Sequence, residues 1–398
     1  MTQINGAKYN VGGVALDRPF KILRLGHFGF NAADLEASRC FYFDLLGFFI
    51  TEPAGAGYFG RHAGDHHSFA LFEKKKFNQR QYAGANAKHF REENDINQIT
   101  WQVQSVAEMA GATKYFHDIG VEVMREGRAG GGGSQLHLYV WAPDEQIFEL
   151  YYGIEQISWN GYARPVAMRH GTAVAPSEAQ LPDYQLITED INKGIPVLDG
   201  ARYVSAMPLK YNVDGVLLPQ PFKITRVGPV KLFVDDYEKL KRWHMEVLGF
   251  TLTEEVDWQG ERCAFLRCNN EHHSLGIFPK SWRKKLGLSE ATSNLSFGLQ
   301  LANYRQLRDA VQFLRGHGVR VETDIIPPEL HPGIDYAAYA FDPDGHCLEL
   351  YYSMEQVGWD GKPRPQELRR KVDPSHWPDI LEPLSDTYTG EPYIGPWA

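Results

Sequence analysis

Cysteine is scarce in this chain. Only Cys40, Cys263, Cys268 and Cys347 occur in 398 residues, none in CxxC spacing, which argues against a zinc framework or a disulfide-stapled domain. They read as reduced, small core residues. Long apolar runs are missing too: no stretch reaches the roughly 18 residues a membrane span requires. No basic, then apolar, then small-residue leader opens the chain, so a cytoplasmic protein is expected. Positive charge is short: 41 Lys and Arg against 50 Asp and Glu leave a net charge of −9, which argues against nucleic acid as the main partner. The one basic cluster, "EKKKFNQR" at 73 to 80, reads as a solvated loop.

What is present is a duplication. A single core stops growing near about 250–300 residues, so a chain of 398 predicts two domains. "KYNVGGVALDRPFKILRLGHF" (8 to 28) aligns with "KYNVDGVLLPQPFKITRVGPV" (210 to 230). The match continues from "GDHHSFALF" (64 to 72) to "NEHHSLGIF" (270 to 278), and from "FELYYGIEQISWNGYARP" (148 to 165) to "LELYYSMEQVGWDGKPRP" (348 to 365). The expected organisation is a domain over 1–170, a Pro- and acid-containing linker over 171–201, a second domain over 202–370 and a tail over 371–398. Trp377, Tyr388, Tyr393 and Trp397 are costly to leave in water, so the tail is expected to dock.

Within each half a weaker repeat appears. Leu35, Ser38, Tyr42 and Leu45 recur at helical spacing after Asp34, with Gly47 as a C-terminal cap; Val106, Met109, Ala110, Thr113 and Phe116 do the same before Gly120. The third copy runs from Tyr237 to Gly249 and the fourth from Leu307 to Gly318. Strands such as "HHSFALF" and "YAAYAFD" mix alternation with short apolar runs, as half-covered sheets do. The predicted fold is α+β: four βαβββ units paired into two cup-like domains.

This pattern resembles the vicinal oxygen chelate superfamily and, within it, the two-domain type I extradiol ring-cleaving dioxygenases. The resemblance spans nearly the whole chain apart from the linker and the tail. It implies a divalent metal inside a cup, held by the opening strand of each βαβββ unit and by the closing strand of the second. Carried over by position, His27 in "LGHFGF" is the first ligand, Gln98 in "NQITWQV" the second, where the family usually has His, and Glu149 in "IFELYYG" the carboxylate. His67, second of the "HH" pair, corresponds to the acid–base histidine, and Tyr139 in "LHLYV" to the tyrosine that holds the substrate hydroxyl. In the second half Pro229 and Ser296 stand at the ligand positions, and only Glu349, His273 and Tyr339 remain, so that cup is expected to be metal-free. The family's usual arrangement keeps the metal in the C-terminal half.

The function this resemblance implies is an oxidoreductase of aromatic catabolism, an extradiol dioxygenase opening a catechol-like ring with O2, with Fe(II) as cofactor or Mn(II) in its place, in a homo-oligomer. Two other readings stay open. Gln ligates the metal in the superfamily's glyoxalase branch, which implies an isomerase or lyase, and resistance members sequester aromatic ligands without turnover. The residues also have plainer readings: His27 as a bonded strand histidine, Gln98 as a satisfied polar group, and Glu149 as structural, since Glu349 recurs in the half without a site. "GRAGGGGSQ" (127 to 135) lacks the Lys and helix of a phosphate cradle and reads as a flexible loop bordering the cup mouth.

Overall fold

The computed structural model describes residues 8–358 and 360–382. These fall into two compact units: residues 8–35, 48–205 and 247–249 in the first, and 36–47, 206–246 and 250–382, apart from 359, in the second. The expected tail therefore lies partly outside the described residues, as do Tyr388, Tyr393 and Trp397. In the described part, Trp377 packs against the Tyr304 and Tyr336 rings, and the Tyr304 hydroxyl donates to the Pro378 carbonyl at 2.8 Å.

A hairpin, β1 (Tyr9–Val11) and β2 (Val14–Leu16), precedes the first sheet. Its strands are β3 (Ile22–Ala32), β4 (Phe49–Pro53), β5 (Gly57–Arg61), β6 (Phe69–Glu73), β7 (Ile96–Val103), β8 (Val123–Arg128), β9 (Ser134–Trp141) and β10 (Ile147–Ile154). They are ordered β4-β5-β6-β3-β7-β10-β9-β8. β3 and β6 are parallel, as are β7 and β10, while β3 and β7 run antiparallel at the centre. That is two βαβββ units side by side, related by a local twofold axis between their opening strands. The helices are α1 (Leu35–Arg39), continued by a wider turn over Cys40–Leu45, α2 (Lys74–Gln81), α3 (Val106–Asp118) and α4 (Asp183–Asn192). Ser105 caps α3 by accepting from the Glu108 amide, and the stop residues Gly47 and Gly120 adopt φ of 83° and 73°, the left-handed region that ends a helix.

The second unit repeats the order. A hairpin of β11 (Tyr211–Val213) and β12 (Val216–Leu218) leads into β13 (Ile224–Val234), α5 (Tyr237–Trp243), β14 (Thr251–Trp258), β15 (Glu261–Arg267), β16 (Leu275–Pro279) and α6 (Trp282–Lys285). Then follow β17 (Asn294–Leu301), α7 (Tyr304–Gly316), β18 (Val321–Glu322), β19 (Ala337–Phe341) and β20 (Cys347–Tyr351). The strand order β14-β15-β16-β13-β17-β20-β19-β18 is the first sheet's order again. Gly249 and Gly318 close the helical runs at φ of 79° and 78°.

Two local expectations change. The basic cluster is not a loop but α2, whose Phe77 and Gln81 are buried while Lys75 and Lys76 stay exposed. Within the expected linker span, α4 docks on the first unit through Asp183, which pairs with Arg128 and, at 2.8 Å, with Arg164. The glycine loop after β8 closes over a histidine pair. A methyl on Gly132 would stand 2.3 Å from the His66 ring, and one on Gly133, already at φ 111°, 2.5 Å from the His67 ring. These glycines are needed for close backbone approach rather than for mobility. Gly133→Ala is expected to push His67 out of place and lower turnover at least tenfold with the fold retained, read by circular dichroism beside a steady-state assay.

Candidate active site

The local twofold axis matches Asp34 before the first helix to Ser105 before the second, and so matches His27 on β3 to Gln98 on β7. Strand pairing then sets a carboxylate beside them. Glu149 on β10 lies in register with Thr100, and Thr100 with His27, so that three central strands converge on one point. His27 Nε2 lies 3.1 Å from Glu149 Oε2, and the Thr100 hydroxyl donates to the same oxygen at 3.0 Å. His27 is 1% exposed and Glu149 0%. Burial raises the Glu149 carboxyl pKa, but the charge and hydrogen bond of His27, with smaller help from His137 and Tyr139, outweigh it and hold the group below the usual carboxylate range.

Across the cup the Tyr139 hydroxyl donates to Gln98 Oε1 at 3.2 Å. Burial, reinforced by the Glu149 charge, pushes the Tyr139 phenol far up, so it remains a protonated donor. The structure thus brings His27, Gln98, Tyr139 and Glu149 into one buried cluster. His67 joins it: its ring lies 4.2 Å from that of His27, and it is held between Phe59, centroid distance 4.4 Å, and His66. Burial first, and then the neighbouring His27 and His66, depress the His67 pKa well below normal, so the imidazole is neutral.

Several contributing residues were not singled out in the sequence. His66 Nδ1 meets His67 Nδ1 at 3.1 Å, His66 Nε2 lies 3.2 Å from Glu52, and Arg169 pairs with Glu52 at 2.7 Å. The second unit repeats this chain through His273, His272, Glu254 and Arg369, so it belongs to the scaffold of both cups. His137, two residues before Tyr139 and on the same face of β9, packs on the tyrosine ring at 5.4 Å; burial lowers its pKa to about 4 against the pull of Glu149. Arg125 stacks over Tyr139 at 3.8 Å. Strand alternation places Thr100 and His137 beside the residues already marked, and that period was the signal for both.

The donor set fits a divalent ion. Two adjacent ligands on an octahedral ion with bonds of about 2.1 Å sit about 3.0 Å apart, which is the separation of His27 Nε2 and Glu149 Oε2. Glu149 Oε1 is buried without a hydrogen-bond partner. A fully buried carboxylate costs several kcal/mol unless compensated, which a divalent ion would do. Gln98, whose Oε1 accepts from Tyr139, would add a neutral oxygen to the nitrogen of His27 and the anionic oxygen of Glu149.

Other polar features do not compete with it. Asp342, Asp344 and His346 come close together at the β19–β20 turn, but Asp342 accepts from the Asp344 and His346 amides and from the Tyr42 hydroxyl, which makes it the knot of a turn. A cavity of about 970 Å³ in the second unit is bordered by Glu254, His331, Tyr352 and Arg369 and by no residue of the His27 cluster. Two of its arginines are already engaged, Arg369 with Glu254 and Arg370 with Asp335 at 2.9 Å.

Residues 24–150 and 226–350 match the family model described as Glyoxalase/Bleomycin resistance protein/Dioxygenase superfamily, and the chain belongs to that superfamily. No curated protein matches the chain by sequence. Among solved structures, the 2,3-dioxygenase LapB from Pseudomonas sp. KL28 shares the fold at 17% identity over 93% of this chain and 98% of its own, with a TM-score of 0.56. Homoprotocatechuate 2,3-dioxygenase from Brevibacterium fuscum, in an anaerobic substrate complex, aligns at 16% identity over 86% and 83%, TM-score 0.54. The Mn(II)-bound glyoxalase from Novosphingobium aromaticivorans aligns at 16% over 86% and 85%, TM-score 0.54. The expected α+β fold of four βαβββ units in two cups is the fold observed. Among the described residues no helix is long and apolar enough to cross a membrane.

Proposed function

We propose that the first unit carries a metal-dependent, extradiol-type dioxygenase activity that opens a vicinal dihydroxy-aromatic ring with O2. The observation that carries this reading is the convergence of His27 Nε2 and Glu149 Oε2 at 3.1 Å in a closed cup, with Gln98 bound to the adjoining tyrosine. His27, Gln98 and Glu149 would hold the ion, Fe(II) first and Mn(II) second. When bound, it supplies Lewis acidity toward a catechol hydroxyl and the chemistry with O2.

The protein's own part is proton handling and placement. Neutral His67, next to His27, takes a proton from the substrate hydroxyl and returns it later; its depressed pKa keeps it available as a base at neutral pH. Tyr139, kept protonated, donates to a substrate oxygen and fixes its position. His137 lies near enough to Glu149 to feel its charge and offers a second neutral imidazole on that side. The surrounding walls are strongly aromatic, with Phe59 and Tyr151 against the two histidines, which suits a flat ring. A cytoplasmic homo-oligomer without nucleic-acid or membrane partners goes with this reading.

A second reading has one observation in its favour. Gln98 is a neutral amide where an imidazole would otherwise ligate, and this donor set suits a hydrated ion that moves protons in a glyoxalase-like isomerase or lyase. Oxygen decides between them. With Fe(II) added to the full chain, a catechol panel is expected to be consumed in air with one O2 per ring and to be inert without O2. Turnover that persists anaerobically selects the isomerase reading; tight aromatic binding that survives His27→Ala, with no turnover in air, selects a sequestering protein.

A further inference from the structure

The second cup contains a group for which the first has no counterpart. On β13, two residues after Pro229, stands Lys231; its Nζ lies 2.7 Å from Glu349 Oε1, and both side chains are 0% exposed. The Tyr339 hydroxyl donates to the same oxygen at 3.2 Å. Strand register shows how the lysine was fitted. In the first unit Gly29 lies opposite Gln98 and beside Ala70, and a methyl on Gly29 would stand 2.2 Å from the Ala70 carbonyl and 2.4 Å from the Asn97 side chain. In the second unit Lys231 occupies the Gly29 place, opposite Ser296 and beside Gly276, and Leu295 stands for Asn97. A methyl on Gly276 would come within 2.9 Å of Lys231 Cγ, so this glycine makes the room the lysine stem fills. Three positions have changed together around one ammonium.

The donors here do not fit a divalent ion. Pro229 and Ser296 replace the nitrogen and amide ligands, and the remaining carboxylate already faces a full positive charge. We propose that Lys231 is a built-in replacement for the ion in the second cup, so that Glu349 serves an internal ion pair and the fold of that cup does not depend on metal. This rests on the reading that one cup of the two bears metal.

The experiment uses the full chain, with thermal melting and calorimetric titration of Mn(II). Lys231→Met keeps the stem but strands Glu349, and is expected to lower Tm by roughly 10 °C, while adding Glu349→Gln restores most of the loss. Glu349→Gln alone is expected to leave the number of Mn(II) ions bound per chain unchanged. Lys231→Met melting like the parent, no recovery in the double variant, or a Mn(II) equivalent lost with Glu349→Gln would each overturn the proposal. If Lys231→Met does not fold, the folded double variant and the Glu349→Gln titration still decide. Should the parent bind no Mn(II), the first-cup reading fails, and the melting pair still tests Lys231.

Discussion

Glu149→Ala is expected to abolish divalent-ion binding and to reduce turnover to background, a loss of at least a thousandfold, whereas Glu349→Gln leaves both at the parent level. The asymmetry follows from what each carboxylate faces. Glu149 meets an imidazole and a hydroxyl, and Glu349 a lysine ammonium at 2.7 Å; each also keeps one buried oxygen without a hydrogen-bond partner. Removing the one anionic donor of a three-donor set removes most of the attraction for a dication. His27→Ala has the same direction, and Gln98→His is expected to hold or tighten binding, because an imidazole is the better donor to iron. Equilibrium dialysis with Fe(II) or Mn(II), beside oxygen uptake, reads all four variants. Dead Glu349→Gln with active His27→Ala would reverse the assignment of the cups.

His67→Ala is expected to behave differently in kind, keeping the ion at parent affinity while kcat falls by roughly 10²–10⁴. His67 lies against His27 ring to ring, and its hydrogen bond runs away from the ligand point, to His66. It is neutral because burial, and then the neighbouring His27 and His66, make a charge on its own ring costly. Dialysis and steady-state kinetics on the same preparation separate the two effects. Loss of the ion in His67→Ala would show that it ligates rather than transfers protons.

The architecture was legible because it is written twice. Four helical runs, each stopped by a glycine, and paired strand motifs at a near-constant spacing leave few other folds open, and Gly47, Gly120, Gly249 and Gly318 all adopt the left-handed conformation expected of them. The choice of His27, Gln98, His67, Tyr139 and Glu149 came from the family resemblance; the structure sets His27 beside Glu149 and His67, and Gln98 beside Tyr139. What was missed lies one strand period away. Thr100 and His137 flank named residues at a spacing of two, and Lys231 is a cation in the middle of the apolar strand "VGPVKLFV", a costly placement that asks for a buried partner. Glu52 and Arg169 were not visible because Arg169 reaches Glu52, the partner of His66, only through tertiary folding across 117 residues. The helix over the basic cluster was hidden by poor apolar periodicity, and is held by Phe77 packing on Phe72.

Metal content per chain is the most direct test of a first cup built around an ion. Mildly purified protein, and the same protein after anaerobic addition of Fe(II) and removal of excess, is analysed by plasma mass spectrometry. The account predicts close to one equivalent of Fe or Mn per chain in the parent and none in His27→Ala. Less than about a tenth of an equivalent in the parent, not restored by Fe(II), would contradict it.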